Sequence, residues 1–179
     1  MNLPNKLTVL RVLLVPVFVV FLMCNITGFD KWIALAIFIV ASLTDMLDGK
    51  IARKYGLVTN FGKFMDPLAD KLLVCSAFIC FIELGKLPTW MVLIVIAREF
   101  IISGFRLVAA DNGVVIAASI WGKYKTAVSM VMICFVVADI ANSIFSVITN
   151  ILIWASLILT VVSLLDYIIK NKDIFKGSM

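Results

Sequence analysis

Four aspartates in an otherwise apolar part of the chain carry the clearest chemical signal in the sequence. Asp45 and Asp48 close a hydrophobic run that begins near Trp32, and Asp66 and Asp70 follow after a short, more polar stretch. Residues three or four positions apart share one face of a helix, so each pair presents two carboxylates on the same side. A short connection suited to an antiparallel hairpin would bring both pairs to the same level. Carboxylate oxygens attract hard divalent cations such as Mg²⁺ or Mn²⁺, and the spacing therefore predicts a metal site.

The residues around the aspartates help to decide between a metal site and a simpler interpretation. A single acidic pair at a helix end is most often exposed to solvent or caps the helix. Gly49 and Gly62 leave room for a ligand or a neighbouring helix to approach the backbone, and Ala52 is small for the same reason. Lys50 and Arg53 are placed to bind phosphate, or else to neutralise the acids and reach lipid headgroups. Two acidic pairs around one turn, with glycines and basic residues between them, favour the metal site.

The elements that position these residues are predicted to be membrane-spanning helices. The chain is 63% hydrophobic, and a spanning helix needs about 20 mostly apolar residues. We therefore expect an all-α integral membrane protein, a six-transmembrane-helix bundle that forms a single domain over residues 1–179. The chain has no histidine, which excludes histidine-based acid–base chemistry and histidine-ligated zinc. The predicted spans cover roughly residues 7–26, 31–52, 66–85, 88–109, 122–143 and 147–169.

The distribution of basic residues predicts the orientation of the bundle. Most lysines and arginines fall at the termini and on alternate connections, whereas Lys31 and Lys86 are the basic residues on the other turns. Positive residues favour the cytoplasmic side, so both termini and the aspartate connection are expected there. The predicted location is the cell membrane, as a multi-pass protein whose active site faces the cytoplasm. The net charge of +5 fits anionic lipids and anionic substrates; we expect no nucleic acid partner, because no basic domain is present.

The aspartates and their neighbours form one continuous pattern. Residues 45–70 read D-x-x-D-G-x-x-A-R, eight further residues, and then G-x-x-x-D-x-x-x-D. This pattern resembles the signature of the CDP-alcohol phosphotransferase family. The resemblance implies a six-helix enzyme, commonly a homodimer, that moves a substituted phosphoryl group from a CDP-linked donor to an alcohol and releases CMP.

The resemblance also assigns roles by position. Asp45, Asp48 and Asp66 would bind metal, and Asp70 would bind the second of two divalent cations and act as the general base. Further residues would line the site of the CDP-linked donor: Gly49, Ala52, Arg53, Gly62, Asn5 and Thr8. We expect Asn5 and Thr8 on a short N-terminal interfacial segment, where membrane anchoring is the alternative role.

Three other stretches are similar to family members that use CDP-diacylglycerol as donor and glycerol 3-phosphate as acceptor. They are "NLPNKLTVLRVLLVP", "AREFIISGFRLVAA" and "WGKYKTAVSM". A small dianionic acceptor needs cations, because arginine can grip phosphate with two hydrogen bonds and lysine supplies a point charge. The candidates for holding the acceptor phosphate are Arg98, Arg106, Lys123, Lys125 and Thr126.

Helical geometry limits how these candidates can act together. Glu99 is not expected to pair with Arg98, because adjacent helical residues do not face each other. Lys123 and Lys125 are about 200° apart on a helix, so they point at different surroundings unless the helix begins between them. Arg106 has the alternative role of reaching the lipid interface.

Two other functions stay open from the sequence. Within the same chemistry, the acceptor could be a different alcohol, as in a cardiolipin synthase that uses phosphatidylglycerol. From another class, a cation transporter also places carboxylates inside helices. The acids, however, cluster at one predicted hairpin rather than at mid-membrane, and no pair of broken helices occupies corresponding halves of the chain.

Overall fold

The computed structural model describes residues 3–24, 26–55, 60–111, 116 and 119–171. It describes the backbone alone for residues 3, 4, 45–55, 60–64, 66, 67, 70, 110 and 111. The described residues form six helices joined by turns, with no strand among them. The helices are α1 (Leu3–Met23), α2 (Asp30–Tyr55), α3 (Asn60–Glu83), α4 (Thr89–Asp111), α5 (Ile120–Ala138) and α6 (Ser143–Lys170).

The predicted all-α class and the number of helices are confirmed. Among the described residues, three helices are long and apolar enough to cross a membrane, namely α1, α5 and α6. The chain divides into two compact units. The first comprises Met1–Leu87 and Ile133–Asp139, and the second comprises Pro88–Met132 and Ile140–Met179.

α1 begins at Leu3 and carries Asn5 and Thr8, whose interfacial position stays a prediction. One predicted helix boundary is wrong. α3 begins at Asn60 rather than at residue 66, which places Pro67 beyond the first turn of the helix. Hydropathy marks the apolar part of a helix, whereas the hydrogen-bonded helix continues into more polar residues.

In the first unit, α1 packs against both α2 and α3. Its buried residues repeat every three or four positions, which is the spacing of one helical face. The apolar end of this face includes Val15 and Phe18, and the Phe18 ring lies 5.9 Å from that of Phe38 on α2. The polar end includes Thr8 and Arg11, both fully buried. One face of α1 therefore supplies an apolar core and a buried polar region to the same unit.

The turn between α1 and α2 is closed by Asp30, the first residue of α2. Its carboxylate accepts hydrogen bonds of 2.9 Å from the backbone N–H groups of Thr27 and Gly28. Gly28 adopts a φ of +78°, a left-handed conformation that glycine reaches without steric cost. The Asp30 carboxylate therefore holds the turn that joins α1 to α2.

Asp139, which follows the last residue of α5, contacts two of the turns that contain few basic residues. Lys86 Nζ, which follows α3, lies 2.8 Å from Asp139 Oδ1. Lys31 Nζ, near the start of α2, donates to the Asp139 carbonyl oxygen over 3.2 Å. These residues all belong to the first unit. The ends of α2, α3 and α5 that carry them are thus at one end of that unit.

In the second unit, α4 and α6 run in the same direction. The ring of Trp90, at the start of α4, lies 6.5 Å from that of Trp154 in the middle part of α6. Further along both helices, the rings of Phe105 and Tyr167 lie 5.8 Å apart. α5 contacts α6 through Ser129 and Ser156, whose hydroxyl oxygens are 2.7 Å apart. Buried small polar residues on α6 thus face its neighbours within this unit.

Candidate functional site

The four aspartates lie on α2 and α3, at matching distances from the connection between these helices. Asp48 precedes the last residue of α2 by seven positions, and Asp66 follows the first residue of α3 by six. At 1.5 Å per residue, both are about 10 Å from the helix ends, and Asp45 and Asp70 are about 15 Å from them. The helix bounds therefore have the register that the predicted hairpin requires.

The carboxylates themselves lie outside the described side chains. Their chemistry fits Mg²⁺ or Mn²⁺, since hard divalent cations prefer oxygen ligands. Among the side chains that the structure describes, no group of three or more His, Cys, Asp or Glu could hold a metal ion. The metal site thus stays a prediction on Asp45, Asp48, Asp66 and Asp70.

The predicted donor-site residues fall into two groups. Gly49, Ala52, Arg53 and Gly62 lie on α2 and α3 and outside the described side chains. On α1, by contrast, the side chains that the prediction singles out are buried, with Asn5 7% exposed and Thr8 0% exposed.

The burial of Asn5 and Thr8 weighs against the alternative that these residues anchor the chain to lipid headgroups. Arg11, one turn further along the same face of α1, is 1% exposed. A buried arginine is rare unless it is paired, and all three of these residues have polar or electrostatic partners. The first unit therefore contains a buried polar region built on α1.

Arg98 and Lys125, two of the predicted acceptor residues, meet in the second unit. Arg98 is 7% exposed and Lys125 is 2% exposed, although they lie on different helices. Glu99 joins them: its Oε1 atom accepts a 3.0 Å hydrogen bond from Arg98 Nη1 and forms an ion pair with Lys125 Nζ. The expectation that Glu99 would not pair with Arg98 is wrong. Both side chains are long enough to fold back toward each other, and the ammonium of Lys125 attracts the carboxylate.

The guanidinium of Arg98 is also held from α6 and lies close to α5. Its Nε donates to Ser163 Oγ over 3.1 Å, and that hydroxyl donates to the carbonyl oxygen of Thr160 over 3.0 Å. On α5, a Cβ added at Gly122 would lie 3.3 Å from Arg98 Nη2, so the absence of a side chain there leaves room for the guanidinium. Three helices of the second unit thus fix one arginine.

The structure does not bring the other acceptor candidates into this cluster. Arg106, Lys123 and Thr126 are exposed, and the Thr126 hydroxyl donates to the backbone of its own helix over 3.0 Å. α5 begins at Ile120, before both lysines, and buries Lys125 while it exposes Lys123. The prediction that the two lysines face different surroundings is confirmed.

Glu99 and Ser163 are the residues of this cluster that the prediction from sequence missed. A further pair positions the start of α5: Ser119 Oγ accepts from Gly122 N over 3.1 Å, and Asp166 on α6 is hydrogen-bonded to Ser119. The spacing of polar residues along α6 could have indicated that Ser163 lies on a buried face. The buried polar residues on this apolar helix recur every three or four positions, at Ser156, Thr160, Ser163 and Tyr167.

The chemical capacity of the Arg98–Glu99–Lys125 cluster follows from its charges. Among the side chains that the structure describes in this cluster, two cations and one carboxylate leave one excess positive charge in a buried place. Burying ions is costly, and a buried ion pair gives little net stability. Arginine and lysine together are suited to a phosphate, since one supplies planar donors and the other a point charge. The cluster is therefore a candidate anion site.

Comparisons with known proteins find similarity over nearly the whole chain. Residues 1–162 match the family model described as CDP-alcohol phosphatidyltransferase. A Bacillus subtilis protein named CDP-diacylglycerol–glycerol-3-phosphate 3-phosphatidyltransferase is 40% identical over 193 aligned residues, which cover 99% of this chain and 98% of that protein. A Rickettsia typhi protein of the same name is 36% identical over 177 residues, covering 97% of this chain and 99% of that protein.

A Mycobacterium tuberculosis protein, named "Probable phosphatidylglycerophosphate synthase", is 40% identical over 169 residues, which cover 93% of this chain and 80% of that protein. The family match spans five of the six helices completely and most of α6. Similarity that extends over a whole fold, and not over one motif, indicates common descent, and the chain therefore belongs to the CDP-alcohol phosphatidyltransferase family.

Proposed function

We propose that this chain transfers the phosphatidyl group of CDP-diacylglycerol to sn-glycerol 3-phosphate, giving phosphatidylglycerophosphate and CMP. The names of the full-length relatives support this donor and this acceptor. The structural observation that carries the choice of acceptor is the buried cluster of Arg98, Glu99 and Lys125 with its excess positive charge. A phosphate monoester is dianionic near neutral pH, so a compact site with two cations suits it better than an uncharged alcohol.

The donor side of the reaction rests on the family. CDP-alcohol phosphatidyltransferases use divalent metal ions, and we propose two Mg²⁺ or Mn²⁺ ions held by Asp45, Asp48, Asp66 and Asp70. Such ions neutralise the diphosphate and stabilise the departing CMP. The proposed donor contacts are Gly49, Ala52, Arg53, Gly62, Asn5 and Thr8.

The proposed reaction is one displacement at phosphorus. The primary hydroxyl of glycerol 3-phosphate forms a bond to the phosphorus that carries diacylglycerol, while the bond from that phosphorus to the CMP oxygen breaks. Asp70 accepts the hydroxyl proton, which is a role that a carboxylate within reach of an incoming hydroxyl can serve. Arg98 and Lys125 hold the acceptor phosphate, and the exposed members of the proposed acceptor set are Arg106, Lys123 and Thr126.

The proposed setting is a homodimer in the cell membrane, with six spans per chain and with both termini and the active site on the cytoplasmic side. The charge distribution supports this orientation, because positive residues favour the cytoplasmic face. The contacts of Asp139 with Lys31 and Lys86 are consistent with it, since they gather the less basic helix ends at one end of the first unit.

The test is CMP release by the purified protein with CDP-diacylglycerol and Mg²⁺ or Mn²⁺. We expect CMP release to depend on glycerol 3-phosphate and not on phosphatidylglycerol, inositol phosphate or serine. Dependence on phosphatidylglycerol would make the chain a cardiolipin synthase and would overturn the proposed acceptor. Metal-dependent ion flux into liposomes without any CMP release would favour a cation transporter.

A further inference from the structure

We infer that Glu99 is a positioning residue of the proposed acceptor site, which holds Arg98 and Lys125 side by side so that both reach one phosphate. This inference rests on the proposed function. It assigns to an acidic residue a part in binding an anion, which is the opposite of what its charge alone would suggest.

The geometry supplies the first step. A single oxygen of Glu99, Oε1, is the partner of Arg98 Nη1 on the same helix and of Lys125 Nζ on α5. One shared acceptor fixes the separation of the two cationic groups, because each must stay within hydrogen-bond distance of the same atom. A carboxylate that paired with one of them alone would leave the other free to adopt several rotamers.

The surroundings of Arg98 supply the second step. The hydrogen bond from its Nε to Ser163 fixes one edge of the guanidinium, and the missing side chain of Gly122 leaves space for Nη2. A planar group held at one edge can still tilt about that edge. The contact between Nη1 and Glu99 removes this freedom, so Glu99 sets the final orientation of the guanidinium.

Electrostatics supplies the third step. Without a carboxylate, two buried cations would repel each other and separate, because like charges interact strongly where little water screens them. With Glu99 present, the cluster keeps one excess positive charge and a fixed shape. The arrangement is therefore preorganised for an anion, which reduces the free energy that binding must spend on ordering side chains.

Two substitutions separate position from charge. Glu99→Asp keeps the negative charge but shortens the side chain, so that one oxygen no longer reaches both cations. Glu99→Gln keeps the length but removes the charge. If Glu99 positions the cations, both variants raise KM for glycerol 3-phosphate by roughly tenfold to a hundredfold, the size of effect that misplacement by about 1 Å can have. KM for CDP-diacylglycerol stays within about twofold, because the donor is not held by this cluster.

A role for Glu99 in charge balance alone gives the opposite result. Glu99→Gln would then lower KM for the acceptor, because the site would gain positive charge, and Glu99→Asp would behave like the wild type. Either outcome would overturn the inference, and so would an equal rise of KM for both substrates. Glu99→Asp carries the test if Glu99→Gln fails to fold, since the latter leaves two buried cations without a carboxylate.

Ser129→Ala is the matched control. Ser129 is buried in the same unit, one turn after Lys125, and its hydroxyl contacts that of Ser156 on α6. Its loss therefore disturbs helix packing beside the cluster but leaves the side chains of Arg98, Glu99 and Lys125 in place. We expect KM for glycerol 3-phosphate to be unchanged in this variant. Wild-type protein that releases no CMP with glycerol 3-phosphate would overturn the proposed function itself. Wild-type activity together with an unchanged KM in Glu99→Asp would overturn the inference alone.

Discussion

Glu99 on α4 forms an ion pair with Lys125 on α5, and the two residues are 26 positions apart in the chain. Arg98 donates to the same carboxylate oxygen over 3.0 Å. A buried cluster of this kind contributes little net stability, because desolvation of the charges offsets their attraction. We attribute its excess positive charge to the acceptor phosphate that we propose it binds.

Lys125→Met should raise KM for glycerol 3-phosphate by about tenfold or more, because it removes one of the two cations that we propose hold the acceptor phosphate. Hydrogen bonds to charged groups contribute about 1.5–3 kcal/mol. Methionine keeps most of the apolar stem of lysine, so packing is largely retained. Steady-state kinetics with each substrate varied in turn measures the effect. Lys170→Met is the charge control, since Lys170 is exposed and pairs with Asp166 one turn away on its own helix. An equal rise of KM in both variants would show that overall charge, and not the cluster, sets acceptor binding.

Gly122→Ala should weaken acceptor binding several-fold, because the new Cβ would lie 3.3 Å from Arg98 Nη2 and must displace a guanidinium held by Ser163 and Glu99. Gly104→Ala is the matched control on α4, where an added Cβ has nothing within 4 Å. A helical glycine costs up to about 1 kcal/mol relative to alanine, so the control should be as stable as the wild type or more stable. KM for glycerol 3-phosphate and the unfolding temperature are the measurements. Identical kinetics in the two variants would contradict the close approach of Arg98 to α5.

The existence and order of the helices could be predicted from the sequence, since each apolar segment overlaps one observed helix. The ends of the helices could not be predicted. Apolar composition indicates contact with lipid or with the protein core, but it does not show where the backbone hydrogen bonds of a helix stop. The start of α3 shows this: the helix begins at Asn60 although residues 60–65 include polar side chains and a glycine. Local signals do mark two boundaries: glycines with positive φ, Gly28 and Gly85, lie in the turns that follow α1 and α3.

Part of the candidate site could likewise be predicted from the sequence, and part could not. The aspartate pattern is local, so identity and spacing were enough to single it out. The contact between Arg98 and Glu99 could not be predicted, because the rule for adjacent helical residues describes where Cβ atoms point, whereas long side chains can turn back. The ion pair of Lys125 with Glu99 depends on how α5 packs in the second unit, and no spacing in the sequence specifies that packing.

Asp45→Asn should abolish CMP release, because an amide of similar shape replaces the charge of a proposed metal ligand. The helical content measured by circular dichroism should be unchanged. Asp139→Asn makes the same chemical change in the same unit, where the carboxylate pairs with Lys86 in an exposed ion pair. Exposed pairs contribute about 0–1 kcal/mol, so this control should stay active and folded. Most of the activity surviving in a folded Asp45→Asn protein would contradict the proposed metal-assisted mechanism.

Asp30 should make the stability of the folded protein depend on pH in the acid range. Burial alone would raise the pKa of this carboxyl, but hydrogen bonds from the backbone of Thr27, Ile26 and Gly28 and from the Thr27 hydroxyl outweigh it, so the pKa lies below its ordinary value of 3.8. A carboxyl with a lowered pKa in the folded state contributes stability above the pKa of the unfolded chain and loses it as the pH falls through the folded pKa. We therefore expect Asp30→Asn to unfold at a lower temperature than the wild type at pH 6, with a difference that narrows below about pH 4. Thermal unfolding in detergent between pH 3 and pH 6 measures this difference. A difference in unfolding temperature between Asp30→Asn and the wild type that stays constant from pH 3 to pH 6 would contradict this prediction. It would show that the Asp30 side chain stabilises the turn through its shape and not through its charge.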